Sequence, residues 1–110
     1  MASSTLIAGL GDIKVSKDPE ATIRAIGLGS CIGIIAVAPR RRVAGMAHVV
    51  LPQSSVDPRK ASEKPGYFAD TAVEALIAAF APFGVRNPRE LMVKIAGGAS
   101  IMDQNRAFDI

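Results

Sequence analysis

Residues 31–51 read CIGIIAVAPRRRVAGMAHVVL, two apolar segments separated by a short charged connection. The first segment, residues 31–38, is rich in β-branched residues and continuously apolar, which predicts a strand covered on both faces. Pro39 ends it, and residues 43–51 form the second predicted strand. A connection this short favours an antiparallel hairpin, because a parallel return needs a longer crossover.

Shorter elements are predicted on either side of this hairpin. Strands are expected at residues 5–8 and 13–15, joined by a tight turn rich in Gly and Asp, and at residues 22–27 and 91–96. The polar segment 53–66 holds two prolines and is predicted to be a long loop.

The clearest helix is predicted at residues 67–83. Apolar residues recur there every four positions, as Phe68, Ala72, Leu76 and Phe80, with Val73 and Ile77 beside that stripe. Pro82 and Gly84 mark its end. The stripe is interpreted as core packing.

Composition indicates the fold class. The 110 residues fit one domain, residues 1–110, and 49% of them are hydrophobic although only 5% are aromatic. A core of small aliphatic residues suits an α/β layered sandwich, with a mostly antiparallel or mixed sheet and a flanking helix.

Charge and hydropathy argue against nucleic-acid binding and against insertion into a membrane. The net charge is +3, and the run Arg40-Arg41-Arg42 is too short for a nucleic-acid patch, so it is interpreted as a solvated turn. No segment approaches the ~20 apolar residues that span a bilayer. The N-terminus lacks the pattern of a signal peptide, and a single cysteine fits a reducing compartment. We therefore expect a cytoplasmic protein without membrane insertion.

Cys31 is the only cysteine and His48 the only histidine. Thiolate is the reactive form of cysteine, and a nearby imidazole can take its proton and return it to a leaving amine. In the predicted hairpin both residues lie at the same end of the sheet, and the register decides whether they share a face. Backbone N–H groups near Gly29 and Ser30 are candidates to hold an oxyanion.

Other interpretations of these residues stay open. Free cysteine often packs as a small buried hydrophobe, and a lone histidine beside valines can be a hydrogen-bonded interior residue. One cysteine and one histidine are too few for a structural zinc site unless carboxylates from distant positions join them, so a metal site is the weaker interpretation. Ser100 follows a double glycine and is a candidate either for lining the pocket or for capping.

Four motifs in order carry a family resemblance. They are Gly27-Leu28-Gly29-Ser30-Cys31, Gly45-Met46-Ala47-His48-Val49-Val50-Leu51-Pro52, Tyr67-Phe68-Ala69-Asp70-Thr71-Ala72 and Lys94-Ile95-Ala96-Gly97-Gly98-Ala99. Together they resemble the bacterial chemotaxis family CheD, the chemoreceptor glutamine deamidases, over nearly the whole chain from about Leu6.

The resemblance implies an α/β sandwich related to toxin-type deamidases and a hydrolytic site with Cys31 as nucleophile and His48 as general base and acid. Gly97, Gly98 and Ser100 are then candidates for the pocket. The implied substrates are glutamine side chains on the cytoplasmic helices of methyl-accepting chemoreceptors. A phosphatase of the CheC type is a further implied partner, and no cofactor is implied.

Two departures from the family pattern bear on activity. A threonine six residues before the cysteine, the third catalytic residue of the family, is replaced here by Ala25. A backbone carbonyl could orient the imidazole instead, since orientation needs only an acceptor at one ring nitrogen. The family also continues beyond the double-glycine motif, so the chain is expected to lack the family's C-terminal portion, as a fragment or a short form.

Three hypotheses follow. The first is a protein-glutamine deamidase, an amidohydrolase with a cysteine nucleophile. The second is a catalytically weak or inactive CheD-like module that docks chemoreceptors or a CheC-type phosphatase. The third is a redox-sensing thiol.

Overall fold

A computed structural model of the chain describes residues 4–98. Within that range the strands are β1 (Thr5–Ile7), β2 (Ile13–Ser16), β3 (Thr22–Arg24), β4 (Ile32–Ala38), β5 (Val43–Val49) and β6 (Met92–Gly97). The α-helices are α1 (Pro58–Glu63) and α2 (Ala69–Phe80). Short 3-10 helices occupy Ser54–Val56, Pro65–Tyr67, Ala81–Phe83 and Pro88–Glu90.

The main sheet is four-stranded and antiparallel, in the order β2-β5-β4-β6. Its centre is the predicted hairpin, in which β4 and β5 pair from Ile32 opposite Val49 to Ala38 opposite Val43. The arginines at the turn between them are exposed, as a solvated connection requires. The antiparallel hairpin is therefore confirmed.

A second, two-stranded sheet pairs β1 with β3 in parallel. The predicted turn after β1 is present, but it leads the chain from this small sheet into the main one, because β2 pairs with β5. The strand predicted at residues 22–27 ends at Arg24, where its partner strand β1 also runs out. Short strands that find distant partners are not specified by their local sequence.

Helix α2 covers one face of the main sheet. Its predicted stripe is buried: Phe68, Ala72, Leu76 and Phe80 are each at most 2% exposed. Ala72, Leu76 and Phe80 pack in one core with residues of the two central strands, which are Ile34, Ala36 and Ala38 from β4 and Val43, Ala47 and Val49 from β5. Val73, in contrast, is exposed and lies outside the core.

Two boundaries differ from the sequence prediction. Helix α2 begins at Ala69 and not at residue 67, because Tyr67 ends a 3-10 turn and Phe68 is extended and forms a bridge to Leu51. The Tyr67 carbonyl accepts from the Val50 N–H at 2.9 Å. The helix ends at Phe80, and its last predicted turn is a 3-10 turn that stops at Gly84 in the left-handed conformation.

The segment 53–66 is not the plain loop that was predicted. It contains α1, which begins at Pro58 after Asp57, whose side chain accepts a hydrogen bond from the Lys60 N–H at 3.0 Å. Proline at the first helical position after a capping aspartate is an ordinary helix start. Together these elements give an α/β fold with a mostly antiparallel sheet and a flanking helix. Within residues 4–98, none of the helices has the length and apolar character needed to span a bilayer.

Candidate active site

The register of the central hairpin relates Cys31 to His48. Gly33 lies directly opposite His48, so the two residues share a face of the sheet. This face is opposite to α2, because the neighbouring residues Ile34 and Ala47 point into the helix-covered core. Cys31 lies two residues before Gly33, in the bend that leads into β4. The strand pairing begins at Ile32, so Cys31 lies just outside the paired register, at the same end of the sheet as His48.

His48 is buried, with 1% of its surface exposed. Its Nδ1 lies 2.8 Å from the carbonyl oxygen of Ala8. A carbonyl can only accept, so Nδ1 carries the proton in this bond. In the neutral ring Nε2 is then the unprotonated nitrogen.

The second ring nitrogen of His48 is buried and has no hydrogen-bond partner among residues 4–98, Cys31 included. A buried polar atom without a partner is costly and asks for an explanation. Catalytic hydrogen bonds are often long in a resting site and tighten when substrate binds. A ring nitrogen that is left free in this way is available to accept a proton.

Cys31 is 8% exposed, next to an open stretch of chain. The preceding residues, Gly29 and Ser30, form an exposed bend, and their N–H groups donate to no acceptor among residues 4–98. Free N–H groups beside a thiol are available for a developing oxyanion.

The double glycine that sequence analysis assigned to the pocket lies against the backbone of Cys31. The Gly98 N–H donates to the Cys31 carbonyl at 2.8 Å. Gly97 has φ of 90°, and a Cβ at this position would clash with the carbonyl oxygens of Leu28 and Cys31. Glycine is therefore required where β6 meets the thiol-bearing bend. Ser100 lies outside the described residues.

Ala25, the position where the family resemblance implies a threonine, lies beside the residue that binds the imidazole. In the small sheet Ile7 pairs with Arg24, and the Ala8 N–H donates to the Arg24 carbonyl at 2.7 Å. Ala8 follows the last residue of β1, and Ala25 follows the last residue of β3. The structure thus supplies the carbonyl acceptor for His48 from Ala8, next to the missing threonine.

A small apolar cleft of about 130 Å³ borders the thiol-bearing bend. It is lined by Ser30 and Ile32, which flank Cys31 in the chain, and by the end of β5 with the start of α2, which contribute Val49, Val50, Leu51, Pro52 and Ala69. Two larger cavities lie elsewhere: one of about 260 Å³ between β3 and the middle of the main sheet, and one of about 380 Å³ at the arginine turn. The cleft borders the bend at Cys31, but Ile32 and Val49 belong to the helix face of the sheet, and neither Cys31 nor His48 lines it.

The helix start at the rim of this cleft is tied to the preceding segment by Asp70. Its carboxylate accepts hydrogen bonds from the Ser54 hydroxyl at 2.8 Å and from the Ser54 N–H. These bonds, with the hydroxyl bond first, hold the pKa of Asp70 below its ordinary value. Within residues 4–98, no group of three or more His, Cys, Asp or Glu side chains could hold a metal ion.

Comparison with known proteins identifies the family of the chain. A family model described as CheD chemotactic sensory transduction matches residues 50–110. The chain is 45% identical over 107 residues to the probable chemoreceptor glutamine deamidase CheD 2 of Anaeromyxobacter dehalogenans (strain 2CP-C). The chain belongs to the CheD family. This alignment covers 97% of the chain and 67% of the relative.

Other CheD relatives span bacteria and archaea. The probable chemoreceptor glutamine deamidase CheD of Syntrophotalea carbinolica is 40% identical over 108 residues, with 97% of this chain and 67% of the relative covered. The protein of the same name from Methanococcus maripaludis is 42% identical over 96 residues, with 87% and 58% covered. The chain thus spans about two thirds or less of the length of these CheD proteins.

The functional group that sequence reasoning did not assign to a residue is the Ala8 carbonyl. A backbone carbonyl was expected to bind the imidazole, but the sequence could not show which one. Every residue has a backbone carbonyl, so the residue type does not mark it. The sequence signal nearest to it was the turn Gly9-Leu10-Gly11-Asp12, which follows Ala8 directly.

Proposed function

We propose that this CheD-family chain is a chemoreceptor glutamine deamidase, which converts glutamine side chains of methyl-accepting chemoreceptors to glutamate and releases ammonia. Family membership and the names of its relatives support the reaction. The observation that carries the proposal is the hairpin register, in which His48 pairs with Gly33, two residues along the chain from Cys31. No other cysteine or histidine competes for these roles.

Cys31 is the proposed nucleophile. Its thiolate attacks the side-chain amide carbon of glutamine, forming a C–S bond and a tetrahedral oxyanion. The free N–H groups of Gly29 and Ser30 are the proposed donors to that oxyanion. The exposed bend at Gly29 and Ser30 is the proposed approach for the glutamine side chain. The double glycine, Gly97 and Gly98, forms the proposed opposite wall.

His48 is the proposed general base and acid. With Nδ1–H bound to Ala8, Nε2 is free to accept the thiol proton and then to deliver it to the departing nitrogen. The C–N bond breaks, ammonia leaves and a thioester remains on Cys31. Water then attacks the thioester while Nε2 takes its proton, and cleavage of the C–S bond yields glutamate and the free thiol.

A second candidate function is a CheD-family binding module that docks chemoreceptors without turning them over. One observation favours it: His48 Nε2 makes no hydrogen bond with Cys31 in this structure. The alanine at position 25, where the family carries threonine, points the same way.

Ammonia release from purified chemoreceptor cytoplasmic fragments tests the two functions against each other. The wild-type chain is expected to release ammonia and to convert receptor glutamine to glutamate, seen by peptide mass spectrometry. Cys31→Ala is expected to abolish both while it still binds the fragment. Binding by the wild-type chain without any release of ammonia would refute the enzyme and favour the module.

A further inference from the structure

The loop that carries the imidazole acceptor contacts His48 at three points. Beyond the bond from Nδ1 to Ala8, the Gly11 N–H donates to the His48 carbonyl at 2.8 Å, and the His48 N–H donates to the Asp12 carbonyl at 3.0 Å. Residues 8–12 therefore hold both the backbone and the ring of His48. Any movement of this loop moves the imidazole with it.

The loop is in turn closed by the side chain of Asp12. Its Oδ2 accepts from the Gly9 N–H at 2.9 Å, which ties the two ends of the turn together. Its Oδ1 lies 2.9 Å from the Nζ of Lys64, and the same Nζ donates to the Leu10 carbonyl at 3.2 Å. Lys64 thus binds the loop through one carboxylate and one carbonyl.

Lys64 belongs to a segment that packs tightly on the same loop. Gly66 lies so close that a Cβ on it would clash with the backbone of Gly11, and a Cβ on Gly11 would clash with the ring of Tyr67. The Tyr67 carbonyl also accepts from the Val50 N–H, two residues after His48. The segment that carries Lys64 is therefore held in place by contacts of Gly66 and Tyr67 with the loop and with the residue that follows β5.

We propose that Asp12 and Lys64 are positioning residues for His48: their ion pair fixes the loop whose Ala8 carbonyl holds the imidazole with Nε2 unprotonated. The proposal rests on the proposed function, since a fixed tautomer matters most if His48 is the base. Neither side chain bonds the imidazole: Asp12 acts through its bond to the Gly9 N–H, and Lys64 acts through its bonds to Asp12 and Leu10. Lys64 comes from a segment that is remote in sequence from this loop. The ion pair therefore also connects residues 58–67 to the loop that binds His48.

The electrostatics agree with a formed but solvated pair. The hydrogen bond from Lys64 is the largest cause that holds the pKa of Asp12 below its ordinary value, ahead of the bond from Gly9. The side chains of Lys64 and Asp12 are 45% and 30% exposed. Pairs this accessible contribute little to stability, so the expected effects are partial losses and not abolition.

The test compares Lys64→Met with Lys17→Met in the full chain. Lys17 is exposed and follows the end of β2 that pairs with Ala44, at the opposite end of the sheet from His48. Lys64→Met is expected to slow deamidation of a receptor fragment and iodoacetamide labelling of Cys31 by about two- to fivefold. Lys64→Arg is expected to restore both rates. Lys17→Met, which removes the same charge, is expected to change neither.

A spectroscopic readout separates positioning from a loss of folding. Nitrogen NMR of the single imidazole reports which ring nitrogen carries the proton, and Lys64→Met is expected to mix the two tautomers while the unfolding midpoint stays unchanged. Unchanged tautomer and labelling rate in Lys64→Met, or an equal loss in Lys17→Met, would overturn the proposal. If wild type releases no ammonia while Lys64→Met still shifts the tautomer, the positioning role stands and the proposed function fails.

A double-mutant cycle gives the second check. Asp12→Asn removes the charge but keeps an acceptor for the Gly9 N–H, so it is expected to match Lys64→Met. If the two residues act as one unit, the double variant is expected to be no slower than the worse single variant. Additive losses would show that they act independently and would refute the shared role.

Discussion

The two faces of the main sheet are covered by different kinds of interaction. On the helix face, small and medium apolar side chains from β4 and β5 meet the buried stripe of α2. On the other face, His48 is covered by a loop that is held through hydrogen bonds and one solvated ion pair. The helix face is stabilised by the burial of apolar surface. The other face is held by hydrogen bonds, which require particular directions between donor and acceptor.

This difference separates stability from function in the molecule. Loss of apolar volume on the helix face lowers the free energy of unfolding without touching the thiol or the imidazole. Loss of the hydrogen bond between His48 and Ala8 on the other face changes which ring nitrogen is free, while little apolar surface becomes exposed. Substitutions on the two faces should therefore be distinguishable by comparing unfolding with activity.

The largest expected effect comes from His48→Asn on the hydrogen-bonded face. Asparagine retains an N–H that can donate to the Ala8 carbonyl, but it has no basic nitrogen in place of Nε2. Deamidation is expected to fall by about 10²–10⁴, the usual range for loss of a general base. Urea unfolding is expected to change little.

His48→Ala is the matched variant for that result. It removes the base and also leaves the buried Ala8 carbonyl without a donor, which is expected to lower the free energy of unfolding by about 1–3 kcal/mol. Equal loss of stability in the asparagine and alanine variants would show that the bond to Ala8 does not hold the ring. Full activity in either would remove His48 from the mechanism.

Phe80→Ala probes the helix face and ranks next. Phe80 is fully buried against the sheet, so its truncation leaves a cavity and is expected to destabilise the chain by about 3–5 kcal/mol in urea unfolding. Activity per folded molecule is expected to stay within a small factor of wild type. The exposed neighbour on the same helix, Val73→Ala, should cost far less. A Phe80→Ala chain that folds normally but loses deamidation would contradict the separation of the two faces.

Sequence reasoning recovered the helix face more fully than the other face. The stripe at Phe68, Ala72, Leu76 and Phe80 is readable because burial against a sheet imposes a helical period on residue types. The hairpin was readable because Pro39 and a short charged turn leave no room for a crossover. Both features depend on neighbours in the chain.

The other face depends on pairings between distant segments, which residue types do not encode. The parallel pairing of β1 with β3 and the bond between Ala8 and His48 arise from tertiary contacts. Helix α1 is a different case, since Asp57 followed by Pro58 is a local start signal that the polar composition of the segment obscured. The catalytic roles of Cys31 and His48 stay predictions that the experiments above are designed to test.

The smallest expected effect is a gain, from Ala25→Thr. Residue 25 follows β3 beside Ala8, so a hydroxyl there is next to the carbonyl that orients His48. One added neutral hydrogen bond is worth about 0.5–1.5 kcal/mol, and a gain of about two- to tenfold in deamidation rate is therefore expected.

Ala25→Val is the control for that gain, because valine has the shape of threonine without the hydroxyl. If valine gives the same increase, the effect comes from strand packing and not from hydrogen bonding. If threonine gives none, the Ala8 carbonyl by itself already holds the imidazole as firmly as catalysis needs. That outcome would make the loop at residues 8–12, and not residue 25, the part of the hydrogen-bonded face on which His48 depends.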